Sequence, residues 1–134
     1  GFIGSPAMNL MEGKISGISD KALEVELQGQ QKVKVHCSPN ENAQTGAPVH
    51  FGVRPEHLDP EGNGDAKITA KVFAVERLGG ETYLYVNTRD GSELTVHAPG
   101  DKVVTEGQEI SVGVNSESCH VFSEQGLAYE RLAA

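Results

Sequence analysis

Glycine and proline recur so often that no window beyond about ten residues carries apolar side chains at i, i+3, i+4 and i+7 without one of them intervening. The chain has 16 Gly and 6 Pro in 134 residues. That spacing argues against helices and leaves short strands as the available regular structure. The best helical candidate is SDKALEVELQ, in which Leu23 and Leu27 are four apart. The same window also alternates, with Leu23, Val25 and Leu27 on one face and Glu24 and Glu26 on the other. Its neighbour, QKVKVHC, sets Val33, Val35 and Cys37 against Lys32, Lys34 and His36. Folding back through a three-residue loop, Gln28-Gly29-Gln30, puts Glu26 opposite Lys32, Glu24 opposite Lys34, and Val25 opposite Val33. A two-residue turn would put Val25 opposite Lys32 and mix the faces, which a half-buried hairpin does not tolerate. The reading is therefore a hairpin.

Comparable segments follow at short intervals. NLMEGKISGI forms a first strand and PVHFGVR another; AKITAKVFAVERL is long enough to bend or to serve two sheets. ETYLYVNT and SELTVHA are joined by RDG, and QEISVGVN turns Ile110, Val112 and Val114 inward. CHVF and LAYERL flank the turn SEQG. Roughly nine or ten short strands between polar, Gly-rich turns indicate an all-β barrel or sandwich. HLDPEGNGDA, with residues 59–65 at its centre, reads as a connector between two small barrel-like lobes that share strands. A chain of this length buries about two-thirds of its unfolded surface, so one domain spanning 1–134 has a true core. With no Trp and four Phe, that core is mostly Val, Leu, Ile and Ala.

Nineteen acidic residues against eleven basic ones give a net charge of −8. Such a surface repels phosphate backbones, and no Lys/Arg run offsets it, so nucleic acid is not an expected partner. No apolar run reaches the length of a membrane span, and GFIGSPAMN lacks the basic and apolar regions of a signal peptide. Two cysteines, Cys37 and Cys119, make no disulfide framework and read as reduced thiols of a cytosolic protein.

Chemistry-bearing motifs are sparse. Cys37 lies beside His36 and Cys119 beside His120, but adjacent strand residues face opposite ways, which keeps imidazole from thiol. The five histidines are dispersed, with no paired metal-ligand spacing. EGNGDA and RLGGET match no phosphate loop, and LGGE lies between strands, where no helix N-terminus exists to hold an anion. No catalytic, cofactor or metal residue is assigned. FGVRPEHL remains. Pro55 pushes Arg54 into an extended conformation, so Arg54 ends a strand. Glu56, His57 and Leu58 then make one turn of 3₁₀ helix, with Arg54 reaching Glu56 or a carbonyl. Arg54, Glu56 and His57 are thus a structural corner or a ligand contact.

Four blocks, GFIGSPAMN, FGVRPEHL, VERLGGETYLYV and CHVFSEQGLAYERL, together resemble the C-terminal regulatory region of ABC-transporter ATP-binding subunits that serve sugar importers. That family includes the maltose, multiple-sugar and glycerol-3-phosphate importers. The blocks span Gly1 to Leu132 in the family's order. The resemblance implies an OB-like TOBE (transport-associated OB) fold, with residues 1–9 crossing from an upstream ATPase domain. ATP and Mg²⁺ are expected only in that domain, since nothing here matches its nucleotide-binding motifs. The implied function is regulation and dimerisation without chemistry, with small-ligand sensing of an oxyanion or sugar phosphate as the alternative. Implied partners are the chain's own ATPase domain, a second copy, the transporter's membrane subunits and a cytosolic regulator. The implied location is the inner face of the cell membrane. Contact candidates are Phe2, Ile3, Pro6, Met8 and Asn9 at the junction, and Phe122 in the H-[LV]-F block formed by His120, Val121 and Phe122.

Overall fold

The protein is described by a computed structural model covering residues 7–27, 31–40 and 43–132. Within them ten strands form two five-stranded antiparallel sheets. The strands are β1 (Asn9–Ser19), β2 (Ala22–Leu27), β3 (Lys32–His36), β4 (Pro48–Val53), β5 (Leu58–Asp59), β6 (Ala66–Leu78), β7 (Glu81–Thr88), β8 (Glu93–Pro99), β9 (Glu109–Val114) and β10 (His120–Ser123). The first sheet has the order β10-β4-β1-β2-β3, the second β5-β9-β6-β7-β8. The all-β expectation is met.

The hairpin from charge alternation has the expected register: Glu26 opposite Lys32, Val25 opposite Val33, Glu24 opposite Lys34. Its Gln28–Gln30 loop lies outside the described residues, but Leu27 N–H donates to Gln31 C=O at 2.7 Å as the strands part. The two acids nevertheless find partners on β1. Glu26 pairs with Lys14 at 3.9 Å, and Glu24 accepts from the Ser16 hydroxyl at 3.0 Å.

The two sheets are built the same way. Strands β1 to β5 correspond in order and pairing to β6 to β10. From β2 onward the correspondence keeps one offset: Leu23 with Leu84, Val35 with Val96, His36 with His97, Gly52 with Gly113, Val53 with Val114. The long strands β1 and β6 both bend at a bulge, after Ile15 and after Val72. At each bulge the same bonds recur. Ile15 N–H donates to Ala47 C=O and Gly46 N–H to Ile15 C=O; Val72 N–H donates to Gln108 C=O and Gly107 N–H to Val72 C=O. Gly46 and Gly107 sit at φ +91° and +89°, which only glycine adopts readily. Thus AKITAKVFAVERL bends within one sheet and pairs with β9 and then β7.

The last strand of each half belongs to the other half's sheet. β5 pairs with β9, and β10 pairs with β4. Strand sharing between lobes therefore takes the form of an exchange. The chain crosses between sheets twice, each time through a 3₁₀ turn, at Pro55–His57 and at Ser116–Ser118. This corrects the expectation for residues 59–65. Leu58 and Ala66 both oppose Val114, on opposite sides of β9, so that loop arches over the end of one strand inside the second sheet. LAYERL is not a full strand either. Tyr129 N–H donates to Val121 C=O, Ser38 N–H to Glu130 C=O, and Leu132 N–H to His36 C=O, so the tail bridges β10 to β3 and closes the first sheet into a barrel. One apolar core joins both sheets, with Phe51, Ile15, Leu23, Leu84 and Leu94 fully buried.

Between the sheets, buried Asn9 acts as a clamp. Its carboxamide donates to Thr95 C=O at 2.9 Å and accepts from Thr95 N–H at 2.8 Å. It thereby imitates a strand partner on the free edge of β8.

Asn9→Ala leaves both Thr95 groups unanswered, and chemical denaturation should show a loss of about 1–3 kcal/mol. The paired glycines separate two kinds of crowding. A Cβ on Gly113 would lie 1.9 Å from the Asn63 carbonyl oxygen, whereas one on Gly52 would meet the Met8 sulfur at 2.6 Å and the Phe122 ring at 2.9 Å. Backbone cannot yield as side-chain ends can, so Gly113→Ala should cost about 3 kcal/mol or more and Gly52→Ala about 1. Equal losses would contradict this account of the two faces.

Candidate functional site

Of the described junction and C-terminal contact residues, Met8 and Phe122 meet on the outer face of the first sheet, while Asn9 is buried between the sheets. In register, Leu10, Gly52 and His120 lie side by side, and Glu12, His50 and Phe122 form the next row. Because Gly52 has no side chain, Met8, Leu10 and Phe122 close over it. Leu10 stays 57% exposed, while Met8 and Phe122 are half-buried. Phe122 stacks on His120 with ring centroids 6.2 Å apart. The second sheet covers the equivalent Gly113 with the backbone of Asn63, so its face is sealed by its own loop.

At its His120 side this apolar strip is flanked by two arginines, while Glu12 stands in its next row. The Arg131 guanidinium lies 3.3 Å from His120 Nε2. Burial, then Arg131, Arg54 and His57, hold the His120 imidazolium below its ordinary range. Arg54 is exposed and extended, and among the described residues its guanidinium reaches neither Glu56 nor a carbonyl, contrary to the sequence expectation. The corner is held by backbone instead. His57 N–H donates to Arg54 C=O at 2.9 Å, Leu58 N–H donates to Pro55 C=O, and Leu58 is buried. Glu56 points away from the strip, toward a recess of about 520 Å³ that also touches His57, His97 and Asn115. Phe2, Ile3 and Pro6 lie outside the described residues.

A second cleft, of about 290 Å³, opens at the edge of β3. Lys32, Lys34, His36, Glu24, Asp65 and Ser116 line it. Asp65 holds one wall, accepting from the Ser116 backbone N–H at 3.2 Å and from its hydroxyl. Sequence reasoning missed this cleft and the Thr95 clamp. The correspondence that relates them, His36 with His97 and Asn9 with Ala66, emerges only from the strand pairings.

The cysteines are poorly placed for chemistry. Both are buried; burial pushes the Cys37 thiol up and raises Cys119 to about 12, against a partial opposing effect of Arg131. Among the described residues no group of three or more His, Cys, Asp or Glu side chains is placed to hold a metal ion, and no helix is long and apolar enough to cross a membrane.

The two strand-exchanged halves make an all-β, OB-like fold. Comparison makes the assignment narrower. A TOBE domain model matches residues 51–122, and a MalK OB fold domain model matches residues 4–58. The chain belongs to the TOBE domain family. It is 35% identical over 133 residues to the maltose/maltodextrin import ATP-binding protein MalK of Aliivibrio fischeri, and 36% identical to that of Salmonella typhi. Each match covers 98% of this chain and 36% of the relative, so the chain spans about a third of the length of those proteins. A crystal structure of the cytoplasmic molybdate-binding protein ModG, with molybdate bound, superposes with a TM-score of 0.72 at 15% identity. That match covers 89% of this chain and 95% of the other, and it shows a common fold.

His120 offers a pH test. Its folded affinity for a proton is depressed, so the unfolded chain binds the proton more readily. Its contribution to stability is present above the ordinary imidazole range, near pH 6.5, and is lost as pH falls through the lower folded value. Urea midpoints measured from pH 7.5 to 5 should fall less steeply for His120→Gln than for the unaltered chain.

Proposed function

We propose that this chain is the regulatory and dimerisation domain of the ATP-binding subunit of a sugar-importing ABC transporter. The observation that carries the reading is the alignment of nearly the whole chain with MalK proteins. In this reading residues 1–9 descend from the ATPase domain, where ATP and Mg²⁺ bind, and this domain carries no chemistry of its own. It works at the inner face of the cell membrane with the transporter's membrane subunits. The strip of Met8, Leu10 and Phe122, with its flanking arginines, meets a second copy or a cytosolic regulator. The acidic remainder of the surface complements those arginines. Asn9 ties the junction to β8, so a displacement entering at residue 9 reaches the second sheet. A partner that binds one arrangement better than another then biases the subunit between states.

A second reading, a module that senses a small oxyanion or sugar phosphate, is supported by the β3 cleft with its two lysines and by the ligand of the ModG structure.

Joining this chain to the ATPase domain of the Aliivibrio fischeri MalK should give a chimera that assembles and supports maltodextrin uptake. A folded chimera that hydrolyses ATP yet never assembles would refute the first reading. Sedimentation across a concentration series should show a monomer–dimer equilibrium that Phe122→Ala shifts toward monomer, and a strict monomer would remove the second copy as partner. Thermal-shift measurements with molybdate, sulfate and sugar phosphates test the second reading.

A further inference from the structure

Asn9 and the β3 cleft are the same place in the two halves. Pairing with β4 and β9 makes Asn9 the counterpart of Ala66, since Asn9 opposes Val53 and Ala66 opposes Val114. Thr95 is the counterpart of Lys34, because Tyr85–Thr95 and Glu24–Lys34 are corresponding pairs. On one side of the molecule a carboxamide caps the strand edge at Thr95. On the other, Ala66 has only a methyl group to offer at Lys34, and the cleft of about 290 Å³ stands between them.

The strand edge itself is open there. Antiparallel pairs alternate between those that bond to each other and those that turn their groups outward. Leu27 N–H bonds Gln31 C=O and Cys37 N–H bonds Lys21 C=O, so the pairs Glu26–Lys32, Glu24–Lys34 and Ala22–His36 are of the outward kind. His36 spends its outward carbonyl on Leu132 N–H, where the tail seals the edge. Lys34 lies one step beyond that seal, with its N–H and C=O turned away from β2, and Ala66 lines the same cleft.

We infer that this cleft binds the primary carboxamide of a small zwitterionic amino acid with an amide side chain, such as glutamine or asparagine. One end of the carboxamide accepts from Lys34 N–H and the other donates to Lys34 C=O, as Asn9 does at Thr95. Lys32 and the His36 ring face the ligand's carboxylate, and Glu24 and Asp65 face its ammonium group. The cleft is at the small end of the roughly 300–1,000 Å³ typical of small-molecule pockets. That size suits a compact ligand better than a peptide strand. A carboxylate in place of the carboxamide has no proton to give the Lys34 carbonyl, so glutamate and aspartate are the discriminating controls.

This inference rests on the ligand-sensing role of the second reading but assigns it a different ligand class from an oxyanion or sugar phosphate, and one panel separates their failures. L-glutamine, L-asparagine, L-glutamate, L-aspartate, molybdate and a sugar phosphate are titrated into the whole chain. Melting temperature and the ¹⁵N–¹H signal of Lys34 are followed. The expected result is a saturable movement of the Lys34 amide signal and a rise in melting temperature with the two amides, at least tenfold weaker with the two acids. Ala66→Asn supplies the missing carboxamide from within and should abolish both responses. The Lys34 signal of the unaltered chain gives a reading that needs no variant. Equal response to glutamate overturns the carboxamide assignment, and so does a response that survives in Ala66→Asn. Binding of molybdate or the sugar phosphate alone overturns it while leaving the sensing reading in place. Silence across the panel overturns both.

Discussion

The exchange of end strands is the constraint on which everything else rests. β5 leaves the first half to pair with β9, and β10 returns from the second half to pair with β4. Neither sheet is complete without chain from the other half, so the two lobes fold as one body over one core. The crossings that allow this are short 3₁₀ turns, at Pro55–His57 and Ser116–Ser118. Pro55 presets the first. The second is capped by Asn115, whose side chain accepts from Glu117 N–H at 3.1 Å. Two different local solutions thus meet the same geometric demand.

Both halves share the same scaffold, and the asymmetry lies in how each half finishes its exposed groups. The Gly113 face is packed by the backbone of the loop between β5 and β6, while the Gly52 face is covered by three side chains and keeps apolar surface exposed. The edge at Thr95 is satisfied by Asn9, while the edge at Lys34 opens into a cleft. In each pair one copy is closed by the protein itself and the other is available. Candidate surfaces are therefore found by comparing the halves. The residues that differ, Asn9 against Ala66 and Met8 against Asp65, mark them.

Much of this was legible in the chain. The β2–β3 register followed from Glu24, Glu26, Lys32 and Lys34 because charge and apolar character alternate together over a short range. The turn at Pro55 was legible because proline restricts its own φ and its predecessor. Long-range choices were not. HLDPEGNGDA has the composition of a connector, and only pairing of Leu58 and Ala66 with the same Val114 shows that it spans one strand. LAYERL alternates like a strand, yet the tail divides its bonds between β10 and the end of β3. Arg54 was assigned a local partner, but the extended backbone before Pro55 leaves its guanidinium exposed near His120. Asn9 read as part of an apolar junction, because nothing local reveals a partner at Thr95 on a distant strand.

The tail that bridges β10 to β3 has a consequence for how the molecule behaves in a crowded solution. An unpaired strand edge is a template for other chains, and proteins block such edges with covering segments or awkward residues. Here the two vulnerable edges are guarded from opposite ends of the sequence. Asn9 blunts β8 at Thr95, and Leu132 covers the His36 end of β3 while Glu130 holds Ser38 just beyond it. Loss of Asn9 or of Leu132 uncovers adhesive backbone at Thr95 or at His36. The penalty for losing these few residues is thus solubility, borne by the population of molecules, before it is stability of any one of them.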